Sequence, residues 1–152
     1  MSDAQTMSDA QTLAAAVREG MYARDRAAQA LGIAVEEIEP GIAECRMTVR
    51  EDMVQGHATC HGGIVFTLAD TAFAYACNAY NRVTVALGAE ITFVTPARVG
   101  EVLIATARER SRAGRTGIYD VEVRSGEGTL VALFRGTSYE TRGEVVRSAA
   151  ID

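Results

Sequence analysis

The sequence has 152 residues, of which 48% are apolar and 23% are charged, values typical of a single globular domain. The formal net charge of −5 argues against nonspecific binding to nucleic acid, and no apolar run approaches the roughly 18 residues of a membrane span. The N-terminus lacks the basic and apolar regions of a signal peptide. Three widely spaced cysteines form no disulfide framework: Cys45, Cys60 and Cys77. We therefore expect a cytoplasmic, reduced protein with no nucleic-acid or membrane partner.

The chain opens with a duplicated hexamer, because residues 1–6 and 7–12 both read Met-Ser-Asp-Ala-Gln-Thr. A second Met inside a perfect repeat indicates a duplicated start rather than a structural repeat. We therefore assign 1–12 to a disordered or duplicated segment and 13–142 to the folded domain. The small, polar residues 143–152 are expected to form a flexible tail.

The first part of the domain predicts one helix followed by two strands. Apolar residues recur at helical spacing over 13–31. Two strands are predicted at 33–39 and 42–50, and Pro40-Gly41 between them suits the two central positions of a type II turn. Residues 51–61 form a polar loop.

The remainder predicts a long apolar helix over 63–80 and then a run of strands. Gly, Pro and Ser residues separate these strands, and such short links favour antiparallel pairing. One long helix inserted early into a mostly antiparallel sheet is an α+β arrangement, with the sheet wrapped around the helix. The four predicted strands are 83–94, 101–110, 116–124 and 129–140.

The long helix carries a carboxylate among apolar residues. A helix that is apolar nearly all round is a buried helix, and a carboxylate there costs several kcal/mol of desolvation unless something offsets it. At 100° per residue, one narrow polar stripe runs along the helix, and we expect it to face a crevice, another subunit or a ligand. The alternative is a buried polar contact that specifies an interface without catalysis. The stripe consists of Thr67, Asp70, Thr71, Ala74 and Asn78.

Two glycines, Gly62 and Gly63, stand where this helix begins. Glycine allows a ligand to approach the backbone, and the free N–H groups and dipole of a helix N-terminus favour developing negative charge, as in an oxyanion hole. Gly62 and Asp70 are eight residues apart, about 12 Å along a helix axis. One helix cannot bring both to the same carbonyl, so a two-fold-related subunit is needed to complete such a site.

The loop before the helix contains His57, Cys60 and His61. Zinc needs three or four converging ligands, and this cluster offers no fourth. Adjacent Cys60 and His61 point apart in most backbones, which does not suit a nucleophile–base pair. We expect no metal, a packing role for Cys60, and a hydrogen-bonding role for His61 in a pocket.

Four arginines crowd into a short span of this acidic chain and are followed by Thr116-Gly117. Such charge runs are usually the solvated end of a hairpin. Guanidinium groups also pair well with phosphate oxygens, so a phosphate clamp is the functional alternative. The four are Arg108, Arg110, Arg112 and Arg115.

Four segments carry a family resemblance: His-Gly-Gly at 61–63, Leu-Ala-Asp-Thr-Ala-Phe-Ala-Tyr-Ala-Cys-Asn at 68–78, Arg-Thr-Gly-Ile-Tyr-Asp-Val at 115–121, and Val-Ala-Leu-Phe-Arg-Gly at 131–136. Together they resemble the PaaI-type (phenylacetate-degradation) acyl-CoA thioesterases of the hotdog superfamily. The resemblance implies a hotdog fold, a long central helix wrapped by a mostly antiparallel sheet of five to six strands, here with an extra N-terminal helix. It also implies a homodimer as the minimum active unit, assembly into a homotetramer, and active sites at the dimer interface.

The resemblance implies roles for five residues around the helix start. Asp70 would be the catalytic carboxylate, acting as general base on water or as nucleophile on the thioester carbonyl. Gly62 would donate its backbone N–H to the thioester oxygen from the partner subunit, with Gly63 as its neighbour and His61 shaping the hole. Gln55 departs from the family, which usually carries Asn there, although a related branch of hotdog thioesterases uses Gln.

The implied reaction is hydrolysis of (hydroxy)phenylacetyl-CoA, or of a related aromatic or medium-chain acyl-CoA, to the free acid and CoA. CoA is then part of the substrate, and no separate cofactor is expected. Two alternatives remain: an acyl-CoA hydratase or dehydratase, which usually needs a catalytic His near the helix, and a non-catalytic acyl-CoA-binding protein. The residues expected to contact the substrate or CoA are Thr71, Asn78, Arg115, Thr116 and Gly117.

Overall fold

The computed structural model describes residues 3–147. It contains three α-helices, α1 (Asp3–Tyr22), α2 (Arg26–Ala30) and α3 (Gly62–Asn78), and one 3₁₀ turn at Glu51–Met53. None of the helices in this part of the chain is long and apolar enough to cross a membrane. The six strands are β1 (Ala34–Glu39), β2 (Ile42–Thr48), β3 (Thr84–Phe93), β4 (Val102–Ala113), β5 (Thr116–Ser125) and β6 (Leu130–Glu140).

All six strands form one antiparallel sheet in the order β1-β2-β4-β5-β6-β3. The β1–β2 hairpin closes at Pro40-Gly41 as predicted, and Gly41 has a φ of +79°, which a type II turn requires at that position. The α+β architecture with a central helix and an N-terminal helix is confirmed. Strands β1 and β3 lie at the two edges of the sheet.

Helix α3 lies across the sheet because one of its faces is made of small residues. Ala69, Ala72 and Ala76 are fully buried, so the helix axis approaches the strands closely. Phe73 extends from the same face, and its ring fills the space above Gly136 on β6, where an added Cβ would lie 2.8 Å from the ring. Burial of one such aromatic side chain contributes about 1.5–3 kcal/mol to folding.

The N-terminal helical region differs from the prediction of a single helix over 13–31. Helix α1 begins at Asp3, within the duplicated segment, and ends at Tyr22. Asp25 ends the helical run because its carboxylate accepts a hydrogen bond from the N–H of Ala28 at 3.1 Å and so caps α2 as a new helix. The same carboxylate accepts a 3.1 Å hydrogen bond from the hydroxyl of Tyr75 on α3.

The described part of the tail contacts the rest of the domain. The side chain of Asn81 exchanges two 2.9 Å hydrogen bonds with the backbone of Val146. The side chain of Val146 also lies against Gly20 of α1, where no Cβ would fit. Residues 148–152, which complete the segment predicted to be flexible, lie outside the described residues, as do residues 1–2 of the duplicated start.

Candidate active site

The polar stripe of α3 lies on the side of the helix that the sheet leaves partly uncovered. Thr67, Asp70, Thr71 and Ala74 are half-buried, whereas the opposite face is fully buried. This partial exposure agrees with the prediction that the stripe faces a crevice, another subunit or a ligand. The arrangement leaves Asp70 at the middle of an open helix face, where a second molecule can reach it.

The carboxylate of Asp70 has no hydrogen bond or ion pair with any other residue in the described part of the chain. Partial burial raises the pKa of Asp70 above its ordinary value, because desolvation disfavours the charged form. A carboxylate that is desolvated and unpaired is a stronger base than one in water. The group is therefore chemically suited to accept a proton or to attack an electrophile.

The start of α3 leaves the backbone N–H of Gly62 free, although the N–H of His61 before it donates to the carbonyl of Met53 and the N–H groups after it are also used. His61 is the N-cap, and its ring Nδ1 accepts a 2.9 Å hydrogen bond from the N–H of Gly63. The next N–H, that of Ile64, donates to the carbonyl of His61. Within residues 3–147, the N–H of Gly62 donates no hydrogen bond, so of the two glycines only Gly62 can donate to a ligand.

A cleft of about 390 Å³ opens beside Gly62, between the loop before α3 and the segment that follows β3. Gln55 and Thr59 lie along it, and the side-chain N–H of Gln55 donates a 2.7 Å hydrogen bond to the hydroxyl of Thr59. The side-chain oxygen of Gln55 accepts from the backbone N–H of His57. Gln55 therefore shapes the loop as well as facing the cleft.

Sequence reasoning did not single out Phe93, which lines this cleft from the end of β3. Its ring lies directly over Gly62, where an added Cβ would be only 2.9 Å from Cζ. The only signal in the sequence was an aromatic residue at the end of a strand, immediately before a predicted turn. Such residues are common, and strand periodicity alone does not place one against a distant helix N-terminus.

Asp70 does not line the cleft that contains Gln55 and Gly62. The eight residues from Gly62 to Asp70 span about 12 Å of helix. The structure thus brings Gln55 and Gly62 together and leaves Asp70 at a separate position on the same protomer.

Both residues of α3 in the predicted substrate set have hydrogen bonds within the protein. The hydroxyl of Thr71 donates to the carbonyl of Thr67 at 2.6 Å. The amide of Asn78 is 5% exposed; it donates to the carbonyls of Ala74 and Thr84 and accepts from the N–H of Thr84. Asn78 therefore joins the end of α3 to the start of β3, and its hydrogen-bonding groups are occupied there.

The arginine cluster lies on the β4–β5 hairpin and divides into paired and unpaired members. Arg110 pairs with Asp120 at 2.9 Å, while Arg112 pairs with Glu140 and lies 3.7 Å from the ring centroid of Tyr80. Within the described residues, the side chains of Arg108 and Arg115 form no ion pair. These two guanidinium groups remain available for an external anion.

The turn after Arg115 lies at the opposite end of α3 from Gly62. Arg115 borders a small crevice with Cys77, from the last turn of α3, and Thr84, from the start of β3. The hydroxyl of Thr116 donates to the carbonyl of Ala113, and buried Gly117 leaves room for the side chain of Ser138. Thr116 and Gly117 therefore shape the turn that presents Arg115.

Comparison with known proteins identifies the family. The profile of the thioesterase superfamily matches residues 57–132, which include the α3 start, Asp70 and the arginine hairpin. The chain belongs to the thioesterase superfamily. The acyl-coenzyme A thioesterase PaaI of Escherichia coli K12 is 44% identical over 129 residues, which cover 85% of this chain and 92% of that protein. A putative esterase of Archaeoglobus fulgidus is 36% identical, covering 81% of this chain and 80% of that one.

Solved structures of other thioesterase-superfamily proteins have the same fold. The E. coli PaaI protein of the phenylacetic acid degradation operon superposes with a TM-score of 0.87 and 42% identity, covering 88% of this chain and 97% of that one. A variant of the phenylacetic acid degradation protein PaaI of Thermus thermophilus gives a TM-score of 0.74 and 41% identity, covering 77% of this chain and 100% of that one. The predicted PaaI-type resemblance and hotdog fold are confirmed, and the protein is a thioester hydrolase.

The described part of this thioesterase contains no group of three His, Cys, Asp or Glu side chains close enough to hold a metal ion. Cys60 is buried beside the cleft, and burial raises the pKa of its thiol, so at neutral pH it is protonated and a weak nucleophile. The groups of the site that remain open to a substrate are the Asp70 carboxylate and the Gly62 N–H.

Proposed function

We propose that the protein hydrolyses acyl-CoA thioesters, with (hydroxy)phenylacetyl-CoA or a related aromatic or medium-chain acyl-CoA as substrate. The observation that carries the proposal is the unpaired, half-buried carboxylate of Asp70 on the open stripe of α3. The similarity to an E. coli acyl-coenzyme A thioesterase, a protein of the phenylacetic acid degradation operon, supports the choice of substrate class.

The active unit in this proposal is a homodimer that pairs through β3. Strand β3 is an edge strand, and its side chains Val85 and Leu87 are 47% and 62% exposed. An exposed apolar edge strand invites pairing with another chain, and a two-fold axis beside it extends the sheet across both protomers. The two copies of α3 then lie antiparallel, and the helix start of one protomer faces the middle of the other.

This arrangement resolves the separation of Gly62 and Asp70 within one chain. The N–H of Gly62 receives the thioester carbonyl oxygen, and Asp70 of the partner subunit reaches the carbonyl carbon. Donation by Gly62 and the dipole of α3 stabilise the oxyanion as the carbonyl becomes tetrahedral. Asp70 removes a proton from a water that attacks the carbonyl carbon, and the tetrahedral intermediate expels the CoA thiolate. Alternatively, Asp70 attacks the carbonyl carbon itself and displaces the CoA thiolate, and water then hydrolyses the resulting mixed anhydride. Either route ends with the free acid and the CoA thiol.

The CoA phosphates bind at the arginine hairpin in this proposal. The free guanidinium of Arg115 lies near the end of its own α3, and the two-fold axis brings that end beside the α3 start of the partner subunit. A guanidinium fork pairs with phosphate oxygens, and Thr116 and Gly117 define the turn that presents it. Each site then uses Gln55 and Gly62 from one protomer and Asp70 and Arg115 from the other.

The Asp70→Asn variant tests the proposal. We expect wild-type protein to release free thiol from phenylacetyl-CoA, and the variant to lose about 10²–10⁴-fold in kcat because it lacks a general base or nucleophile. The matched control is Asp52→Asn, the same change at an exposed carboxylate paired with Arg50 outside the cleft, which leaves the rate unchanged. Near-normal turnover by folded Asp70→Asn would remove this carboxylate from the mechanism.

A further inference from the structure

We propose that the acyl group of the substrate lies in the cleft beside Gly62, and that Phe93 sets the acyl preference. This inference rests on the thioesterase function proposed above and concerns where the two halves of the thioester go. Phe93 comes from the end of β3, and Gly62 from the start of α3, and the cleft between them has a volume of about 390 Å³.

The cleft has the lining of a small-molecule site. Most of its lining side chains are apolar, and the polar ones are Gln55 and Thr59 of the loop before α3 and Thr95 of the segment after β3. Pockets for small organic groups have this character, and 390 Å³ is near the lower end of their usual size range. The cleft therefore suits an aryl or medium-chain acyl group. The apolar lining consists of Val65, Phe93, Val94, Pro96, Ala97 and Val131.

The position of the Gly62 N–H assigns the acyl half of the substrate to this cleft. A carbonyl held by that N–H has two other substituents, the acyl carbon and the sulfur, which leave the carbonyl carbon in different directions. The sulfur and its carrier arm lead to the arginine hairpin of the partner subunit, because that hairpin holds the free guanidinium of Arg115. The acyl carbon is then directed into the cleft of the protomer that supplies Gly62.

The charged residues of a groove next to the cleft support this orientation of the substrate. A second groove, of about 570 Å³, continues from the cleft past Thr95 and Pro96. Its charged lining residues are Arg98, Glu101 and Glu127, so the groove carries a net negative charge. This charge disfavours phosphate groups there, so we expect the nucleotide of CoA on the other side of the site.

Phe93 is placed to decide which acyl groups fit. Its ring lies over Gly62, within 2.9–3.3 Å of the position that a Cβ on Gly62 would occupy, and it stands beside the free N–H. The side chain is 54% exposed, so part of the ring faces open space at the site. An acyl group attached to the bound carbonyl must pass this ring, and an aromatic acyl group can pack against it edge to face.

The experiment compares Phe93→Ala and Phe93→Trp with the matched control Leu133→Ala, another exposed apolar residue that does not line the cleft. The kcat/KM is measured for acetyl-, hexanoyl-, decanoyl- and phenylacetyl-CoA. We expect Phe93→Ala to raise the ratio of kcat/KM for decanoyl-CoA to that for phenylacetyl-CoA at least fivefold, because the cleft widens and the aromatic contact is lost. Phe93→Trp is expected to raise the ratio of kcat/KM for acetyl-CoA to that for decanoyl-CoA. Leu133→Ala is expected to change neither ratio.

Three outcomes separate this inference from the proposed function. In the first outcome, the wild-type protein hydrolyses the panel, but both Phe93 variants change kcat/KM by the same factor for every acyl-CoA. The acyl group then lies elsewhere, and the thioesterase proposal stands. If the variants instead change the ratio of kcat/KM for phenylacetyl-CoA to that for phenylacetyl-pantetheine, which lacks the nucleotide, the cleft holds the nucleotide of CoA, and the inference is overturned. If wild-type protein hydrolyses no ester of the panel, the proposed function itself fails. Circular dichroism and size-exclusion chromatography verify that each variant folds and assembles like the wild type.

Discussion

The chemistry at the residue scale depends on which polar groups the fold leaves unused. At the start of α3, His61 occupies the N–H of Gly63 and leaves that of Gly62 free. Near the middle of the same helix, Thr71 bonds to the backbone while the carboxylate of Asp70 has no partner in the described chain. An unused donor and an unused carboxylate are what a carbonyl substrate requires, a donor for its oxygen and a base or nucleophile for its carbon.

Comparison of Gly62→Pro with Gly62→Ala tests the contribution of the Gly62 N–H to catalysis. Gly62 is the first residue of α3, where proline is well tolerated, and the extended backbone of His61, with ψ of 132°, is compatible with a following proline. Both variants add a Cβ that displaces the ring of Phe93, but only proline removes the donor. We expect kcat to fall about 10²–10³-fold further in Gly62→Pro than in Gly62→Ala. Equal losses of kcat in the two variants, measured by steady-state kinetics, would assign the effect to the added Cβ and exclude a catalytic role for the N–H.

Asp70 is also expected to lower stability at neutral pH. Burial raises its pKa in the folded protein above the ordinary value of about 3.9, so the folded state binds more protons than the unfolded state between these two values. The free energy of unfolding therefore falls as the pH rises through that window. We expect Asp70→Asn to be more stable than wild type at pH 7, with the advantage disappearing below about pH 3.9. Urea denaturation at several pH values measures this difference, and a pH-independent difference contradicts the assignment.

At the scale of elements, α3 and the β4–β5 hairpin hold the two halves of the proposed site. Asn78 fixes the end of α3 to β3 through two hydrogen bonds with the backbone of Thr84, so this stripe residue has a structural use. Arg110 pairs with Asp120 across the hairpin, and Arg112 stacks on Tyr80 just after α3. The pairing of these two arginines leaves Arg115 as the exposed cation at the turn.

Arg115→Ala tests the hairpin as a phosphate-binding element. Loss of a guanidinium–phosphate pair is expected to raise KM for phenylacetyl-CoA about tenfold, on the order of the 1.5–3 kcal/mol of a charged hydrogen bond. The KM for the matching pantetheine thioester, which lacks the nucleotide, should remain the same. Arg124→Ala, at the other end of β5 and paired with Glu122, is the control. Equal increases in KM for both esters would show that Arg115 does not contact the nucleotide.

At the scale of the whole molecule, the proposed site requires a second copy of the chain. Gly62 lies at one end of α3, Asp70 at its middle and Arg115 beside its other end, and one carbonyl cannot meet all three within a protomer. The exposed apolar edge of β3 offers the surface for a second copy. Assembly of two such dimers into a tetramer stays a prediction.

Mixing two inactive variants tests whether each site is shared. In a heterodimer of Gly62→Pro and Asp70→Asn, one site carries both substitutions and the other carries neither. Random exchange of subunits makes about half of the dimers heterodimers, so activity should recover to about a quarter of the wild-type value. A site built within one protomer would give no recovery, and each variant alone, taken through the same exchange, is the control.

The sequence by itself determined the long helix, the strands and the first tight turn of this protein. Helical periodicity predicted 63–80 where the structure has Gly62–Asn78, and Pro40-Gly41 predicted the turn between β1 and β2. These features depend on neighbouring residues, which is why they can be read locally. The unpaired state of Asp70 could not be read in this way, since it depends on which distant side chains approach the helix.

Only the tertiary structure decided which groups meet. It placed Phe93 over Gly62, used the amide of Asn78 to join α3 to β3, and turned the ring of His61 onto the N–H of Gly63. It also left β3 at an edge of the sheet with its apolar side chains exposed. Strand order and side-chain packing bring together segments far apart in the chain, and no local pattern encodes those distances.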